Sequence, residues 1–164
     1  MRSNPLRWMK TWTAAAVGLA VIGTLAAVAI ASAGFGVTPT TLVTADFATT
    51  VHVNSDRVKF QTKGATDVRV QKLVFSPGGY SGWHHHPGII IVAVQSGAVT
   101  LMNSECNSVT YGPGLSDGSV FVEAGDNPVQ ASSANGATAY VTYVAPNADP
   151  PLFRIEDDPP PCAQ

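Results

Sequence analysis

The chain has 164 residues, 12% of them charged and 45% hydrophobic, which provides material for one small domain. Three of its nine Lys and Arg residues lie within the first ten positions, whereas all 11 Asp and Glu residues follow later. The main part of the chain is therefore acidic and lacks a basic cluster. This charge balance argues against nucleic acid and anionic lipid surfaces as partners.

The first 33 residues predict an export or anchoring segment. Three basic residues precede an uncharged apolar run from Thr13 to Ala33, and about 20 such residues can cross a bilayer core as a helix. The run ends in Ala31-Ser32-Ala33, a pattern that signal peptidases accept. Residues 1–33 are therefore predicted to be a cleaved signal peptide or a retained transmembrane anchor, and the membrane is a partner only in the second case. Both alternatives place the remainder outside the cytoplasm.

The remaining sequence predicts short strands and no long helix. Residues 34–56 are rich in Thr and predict a linker or a first strand, while residues 57–146 alternate β-branched runs with Gly, Pro and Asn turns. The apolar runs at 89–94 and 98–102 flank Gln95-Ser96-Gly97 and predict a hairpin. Seven to nine strands without a helical period predict an all-β sandwich or small barrel, in line with the turn spacing.

The two cysteines predict a disulfide. Cys106 and Cys162 both lie in the exported part, where an even number of cysteines favours pairing. A bridge would close a long loop, which is worth about 4 kcal/mol in the chain-entropy model. It would also tie the Pro-rich tail, residues 147–164, to the domain. Two unpaired thiols are the alternative.

Three consecutive histidines, His84, His85 and His86, are the strongest chemical signal. In a strand, His84 and His86 point to one face and His85 to the other. Two imidazoles at this spacing are suitable ligands for Zn, Cu, Ni or Fe. A surface histidine run, or a hydrogen-bonded pair in a polar barrel mouth, would give the same pattern.

The residues around the histidines resemble the first motif of the cupins. Gly78, five residues, His84-x-His86 and then Gly97 follow its spacing, and the string from Pro77 to Gly88 is typical of small single-domain cupins. The resemblance covers roughly residues 68–144. It implies an all-β, double-stranded β-helix (jelly-roll) barrel, here preceded by the N-terminal hydrophobic helix. In that family two His and a Glu from this motif, with a third His from a second motif, bind one metal ion.

The resemblance is incomplete at the metal ligands. His84 and His86 match, but the position of the motif's Glu falls on Ile90. No histidine follows His86, and Pro128 or Gln130 stands near the place of the third one. Gln130, like Glu123, is a weaker oxygen donor that could complete the site. The expected cofactor is therefore none, or a weakly bound divalent metal ion.

Two functions remain open at this point. The degraded ligand set favours an exported small-ligand-binding barrel with an incomplete metal site and no catalytic residue. The alternative is a metal-dependent oxygenase or isomerase that uses His84 and His86. In the binding barrel the apolar residues Ile89, Ile91, Val92 and Val94 are expected to line the interior and contact a small hydrophobic or sugar-like molecule. The resemblance further implies a homodimer.

Overall fold

A computed structural model describes residues 33–164, so the predicted signal peptide or anchor lies outside the described residues except for its last position. Within the described part, no helix is long and apolar enough to span a membrane. The strands are β1 (Phe35–Phe47), β2 (His52–Asn54), β3 (Lys59–Gln61), β4 (Thr66–Tyr80), β5 (His84–His85), β6 (Ile89–Gly97), β7 (Val99–Asn103), β8 (Ser108–Tyr111), β9 (Val120–Ala124), β10 (Val129–Ser133), β11 (Ala137–Pro146) and β12 (Ile155–Glu156). A single 3₁₀ turn follows at Pro161–Ala163. The all-β prediction is confirmed, with more strands than the sequence pattern indicated.

Ten of the strands form one antiparallel sheet that folds into a nearly closed barrel. One face has the order β9-β6-β11-β4-β1, and the other has the order β8-β7-β10-β5-β12. The end of β4 also pairs with β10, where Tyr80 lies opposite Ser132, and this pairing joins the two faces. Strands β2 and β3 form a separate hairpin. The arrangement confirms the predicted double-stranded β-helix barrel.

Strand β6 shows which side chains form the core. Ile90, Val92 and Val94 are buried, whereas Ile89 and Ile91 are 48% and 40% exposed. Because alternate side chains of a strand point to opposite faces, only one parity of this apolar run can face inward. The expectation that Ile89 and Ile91 line the barrel is therefore wrong, while Val92 lines the cavity and Val94 belongs to the core.

The predicted hairpin between β6 and β7 is also wrong. Strand β6 pairs with β9 and β11, whereas β7 pairs with β8 and β10, so the chain passes from one face to the other between them. Gly97 lies at this crossing with a φ of +72°, and an added Cβ would lie 2.2 Å from the Gly136 carbonyl oxygen. Only glycine fits such a position.

Both ends of the described chain belong to the barrel. The Thr-rich segment forms β1, which pairs along β4 from Phe35 opposite Tyr80 to Phe47 opposite Thr66. At the other end, β12 pairs with the histidine strand β5, and Phe153 is buried in the core. The bridge between Cys106 and Cys162 is present, which confirms the predicted disulfide. The C-terminal tail is thus a wall of the barrel as well as a Pro-rich extension.

Candidate metal centre

The histidine strand presents two imidazoles to the interior, as its alternation predicts. His84 and His86 are each 4% exposed, and their rings lie edge to face with centroids 4.8 Å apart. His85 points the other way and its Nδ1 lies 2.8 Å from an Asp157 carboxylate oxygen. The first and third histidines therefore face the barrel, while the second fastens the strand to the tail.

Backbone carbonyl groups hold both inward histidines in one orientation. The His84 Nδ1 lies 3.0 Å from the Gly82 carbonyl oxygen, and the His86 Nδ1 is hydrogen-bonded to the Phe153 carbonyl oxygen. A carbonyl can only accept, so each Nδ1 carries the hydrogen. In a neutral imidazole of this tautomer, Nε2 keeps a lone pair. Metal-binding histidines use this same arrangement, in which the second ring nitrogen donates to a fixed acceptor.

Glu123 brings a carboxylate to the two Nε2 atoms. It lies on β9 directly opposite Ile90 of β6, and it is only 7% exposed. Its Oε2 is 3.1 Å from the His86 Nε2 and 3.9 Å from the His84 Nε2. No hydrogen bond from the described part of the chain satisfies this buried oxygen. The two Nε2 atoms and the Oε2 atom therefore converge at one point as three electron-pair donors. None of these three atoms carries a hydrogen that it could share with the other two.

The spacing of these atoms suits a divalent transition metal. One donor atom from each of His84, His86 and Glu123 falls within 4.8 Å of the other two. Metal–nitrogen and metal–oxygen bonds of about 2.0–2.2 Å place neighbouring ligands roughly 3 to 3.5 Å apart. Two histidines and one carboxylate with further positions open are a recurrent ligand set of non-haem iron, and zinc also accepts these donors. The residues present thus fit a metal ion.

Burial and nearby charges control the protonation of the centre. Burial, followed by the positive charge of Arg154, lowers the pKa of His84 to about 4. This histidine is therefore neutral and able to bind a metal at neutral pH. Burial, with the Glu123 charge as the next cause, raises the pKa of Tyr143 to about 12. The Tyr143 ring lies 5.6 Å from that of His86, so the wall beside the centre carries a protonated hydroxyl.

Gln130 lies away from these ligands. It is half-buried on β10 between the buried residues Val129 and Ala131, and it lies outside the set of residues that line the cavity, to which Ala131 belongs. Because neighbours along a strand face opposite sides, Gln130 points outward when Ala131 points inward. The structure brings Glu123 to His84 and His86 and does not bring Gln130. The sequence of β9 carried no parity signal for Glu123, because Val120, Phe121 and Val122 are all apolar and only the structure distinguishes the buried Phe121 from its two exposed neighbours.

A cavity of about 620 Å³ adjoins the centre. This volume lies within the range typical of small-molecule sites. Its wall is mainly apolar, and its charged members, besides the centre, are Arg69, Arg154 and Glu156. Arg154 donates to Glu156 and to the Ser81 carbonyl oxygen, so the tail supplies an ion pair to the cavity wall.

No protein-family model and no curated protein matches the chain. Among solved structures, a protein of unknown function from Streptococcus pyogenes shares 15% identity over 65% of this chain and 77% of its own, with a TM-score of 0.44. A salicylate 1,2-dioxygenase from Pseudaminobacter salicylatoxidans shares 15% identity over 46% of this chain and 20% of its own, with a TM-score of 0.39. A DMSP lyase shares 16% identity over 56% of this chain and 44% of its own, with a TM-score of 0.45. The chain thus spans less than half of the dioxygenase and lyase chains.

The fold itself is identified by its own architecture. Two antiparallel faces close around a cavity, and His84 on β5 and His86 directly after β5 lie between Gly78 and Gly97 at the cupin motif spacing. The described part of the chain is a single-domain barrel of the cupin fold.

Proposed function

We propose that this barrel is a metal-dependent enzyme acting on a small molecule, with one divalent transition metal held by His84, His86 and Glu123. The observation that carries the proposal is the convergence of two Nε2 atoms and an unsatisfied carboxylate oxygen in a buried site. An unpaired buried carboxylate oxygen is costly. A cation bound at this point would satisfy all three atoms at once.

The bound metal would polarise an oxygen of the substrate as a Lewis acid or, as iron, support O₂ chemistry. The chain's own residues do the rest. The Gly82 and Phe153 carbonyls fix the two imidazole rings, and the apolar wall keeps water away from the centre. Tyr143 keeps its proton because of its raised pKa, so its hydroxyl can donate a hydrogen bond to a bound molecule.

A second candidate is a binding barrel that holds its ligand without converting it. One observation favours it: no histidine follows His86 in the sequence, so the third histidine that the family resemblance implies is missing. A three-residue set binds a metal less tightly than a four-residue set and leaves more positions to water. A binding barrel would hold a small ligand in the same cavity, but it would need neither a bound metal nor conversion of the ligand.

Metal titration tests the proposal. The purified chain is freed of metal with a chelator and titrated with Zn²⁺, Mn²⁺, Ni²⁺ and anaerobic Fe²⁺. The same titration is made for Glu123→Leu and for the double variant His84→Ala/His86→Ala. We expect one equivalent of at least one metal to bind the wild type, and both variants to lose at least tenfold in affinity. His52→Ala is the matched control, because His52 is exposed on β2. Failure of all four metals to bind the wild type would reject the metal-dependent function.

Turnover separates the enzyme from the binding barrel. Metal-loaded and chelator-treated protein are incubated in air with a defined mixture of small organic acids, alcohols, amides and sugars, and products are followed by mass spectrometry. The enzyme proposal expects a product that needs metal and disappears in His84→Ala/His86→Ala. Ligand retention without any metal-dependent product would support the binding barrel instead.

We further propose that the barrel works outside the cytoplasm. The apolar segment at residues 13–33 and the Cys106–Cys162 bridge support this location, because stable disulfides form in oxidising compartments. Fractionation of cells expressing the full chain, with N-terminal sequencing of the recovered protein, tests it. Cleavage after Ala33 would support a signal peptide, an intact N-terminus in the membrane fraction would support an anchor, and a reduced protein in the cytosol would contradict both.

A further inference from the structure

A row of four residues in register crosses strands β4, β11, β6 and β9. It connects the proposed metal centre at one end with the positive side chain of Arg69 at the other. Arg69 of β4 lies opposite Tyr143 of β11, Tyr143 lies opposite Ile90 of β6, and Ile90 lies opposite Glu123 of β9. All four residues line the cavity. A molecule in the cavity at this level therefore meets the metal ligand Glu123 at one end and Arg69 at the other.

Among residues 33–164, no carboxylate is paired with the charge of Arg69. The ion pairs formed within residues 33–164 do not include it. Its Nε donates a 3.3 Å hydrogen bond to the Thr44 hydroxyl, and its guanidinium carbon lies 4.1 Å above the Phe153 ring. The Phe153 ring packs against the guanidinium group, and the hydrogen bond described for the Arg69 side chain uses Nε, so its terminal nitrogens are available to a ligand. Arg154, the other cavity arginine, differs because Glu156 occupies its fork.

The charges of the cavity favour an anionic ligand. Arg154 and Glu156 neutralise each other, and Arg69 and Glu123 balance in number but lie at opposite ends of the row. A divalent metal on Glu123 and the histidines would leave the cavity clearly positive. Apart from these groups the wall is mainly apolar: on the inward side of β4, Arg69 is followed by Gln71, whose amide donates to the Thr41 hydroxyl, and then by Leu73 and Phe75. The complementary molecule has an apolar body and one negative group.

We propose that the ligand of this cavity is a small organic carboxylate whose carboxylate group is held by the Arg69 fork. Its apolar body lies against the Leu73 side of the wall, and its reacting end lies toward His84 and His86. A planar fork of two parallel N–H donors matches a carboxylate, which explains why an arginine rather than a lysine is useful here. The inference deepens the proposed function and rests on it for the position of the reacting end and for the net positive charge of the cavity, whereas the unpaired Arg69 fork is independent of the metal.

The test compares acids with their uncharged amides. Hexanoate, benzoate and 3-phenylpropanoate are titrated calorimetrically into the zinc-loaded full chain, each beside its primary amide. We expect at least one acid to bind about tenfold or more tightly than its amide, since hydrogen bonds to charged groups are roughly twice as strong as neutral ones. Acids that bind no better than amides would overturn the proposal.

Variants of Arg69 assign the preference to this side chain. Arg69→Gln should weaken acid binding about tenfold or more while amide binding stays unchanged, and Arg69→Lys should fall between because it keeps the charge and loses the fork. Arg57→Gln is the control, since Arg57 is exposed and paired with Asp56. An acid preference that survives Arg69→Gln would also overturn the proposal, because the metal alone would then bind the carboxylate.

The outcome is distinguishable from a failure of the metal proposal. The titrations are repeated with chelator-treated protein, and zinc affinity is measured for each variant. An Arg69-dependent acid preference in a protein that binds no metal would support this inference and reject the proposed function. Tight zinc binding without any preference for acids over amides would support the proposed metal site and reject this inference. Because Arg69→Lys preserves the charge above Phe153, it controls for loss of folding in Arg69→Gln.

Discussion

Replacing Glu123 by leucine should have opposite effects on stability with and without metal. Leucine has a similar volume and no polar atoms, so the variant keeps the packing beside Ile90 and removes the carboxylate. In the metal-free protein, Glu123 is 7% exposed and its Oε2 has no hydrogen bond. A group that is buried and unsatisfied costs stability, whereas a group that binds a metal adds to it.

The two magnitudes follow from the structure. Leaving a buried polar atom unpaired costs about 1–3 kcal/mol, so metal-free Glu123→Leu should be as stable as the wild type or up to about 3 kcal/mol more stable. Zinc at 100 times its dissociation constant should stabilise the wild type by about 2.7 kcal/mol. The variant lacks one of three ligands and should gain little. The order of stability should therefore reverse when zinc is added.

Urea unfolding with the disulfide intact measures both states, once in chelator and once in excess zinc. Glu105→Leu is the control: Glu105 is exposed, and its change should stay within about 0.5 kcal/mol in both conditions. A Glu123→Leu variant that loses the same stability with and without zinc would refute the reasoning. In that event the 3.1 Å contact between Glu123 and His86 would be an ion pair that stabilises the metal-free barrel.

Three further changes have defined outcomes. Chelator-treated protein should lose about 3 kcal/mol of stability as the pH falls from 6.5 to about 4, because unfolded His84 binds a proton that the folded form, with its pKa of about 4, does not bind. Above pH 6.5 this contribution to stability is fully present. If urea unfolding shows the same dependence of stability on pH for His84→Gln as for the wild type, His84 is not the cause. The double variant Cys106→Ser/Cys162→Ser should be about 4 kcal/mol less stable in urea, given the loop of 56 residues, and a loss below 1 kcal/mol would reject the estimate. The double variant Ile90→Glu/Glu123→Ile should keep zinc affinity within about tenfold of wild type, because both positions face the cavity, whereas Glu123→Ile alone should lose more affinity. If calorimetry shows the same loss of zinc affinity for the single and the double variant, the carboxylate must come from β9.

Features that depend on local sequence could be predicted, and features that depend on distant pairing could not. Alternation along a strand placed His84 and His86 on one face, because that periodicity belongs to the backbone itself. The disulfide followed from an even number of cysteines in a chain whose first 33 residues predict export. The hairpin at Gly97 failed for the opposite reason. A glycine at a strand end allows a tight turn and equally allows a crossing to the other face, and only the pairing partners of β6 and β7 distinguish them.

The inward side of β6 could not be assigned for a related reason. A run of consecutive apolar residues from Ile89 onward carries no alternation, so the pattern gives no sign of which parity is inside. The structure puts Ile90 and Val92 inside and leaves Ile89 and Ile91 half exposed. The tie between the tail and the domain could be predicted from the two cysteines, whereas the short strand β12 beside the histidine strand depends on distant pairing and could not.

Ile90 occupies the position of the motif's Glu, and the carboxylate that we propose in its place lies on the neighbouring strand. A direct cross-strand neighbour has its Cβ about 4.5–5.5 Å away and faces the same side of the sheet. Glu123 occupies that position relative to Ile90, and a carboxylate on a two-carbon arm bridges such an offset. A search along β6 alone finds an apolar residue and concludes that the site is incomplete. The same search extended to the paired strand finds the carboxylate, so an absent ligand in a barrel motif should be sought one strand away, at the residue in register, before the metal is excluded.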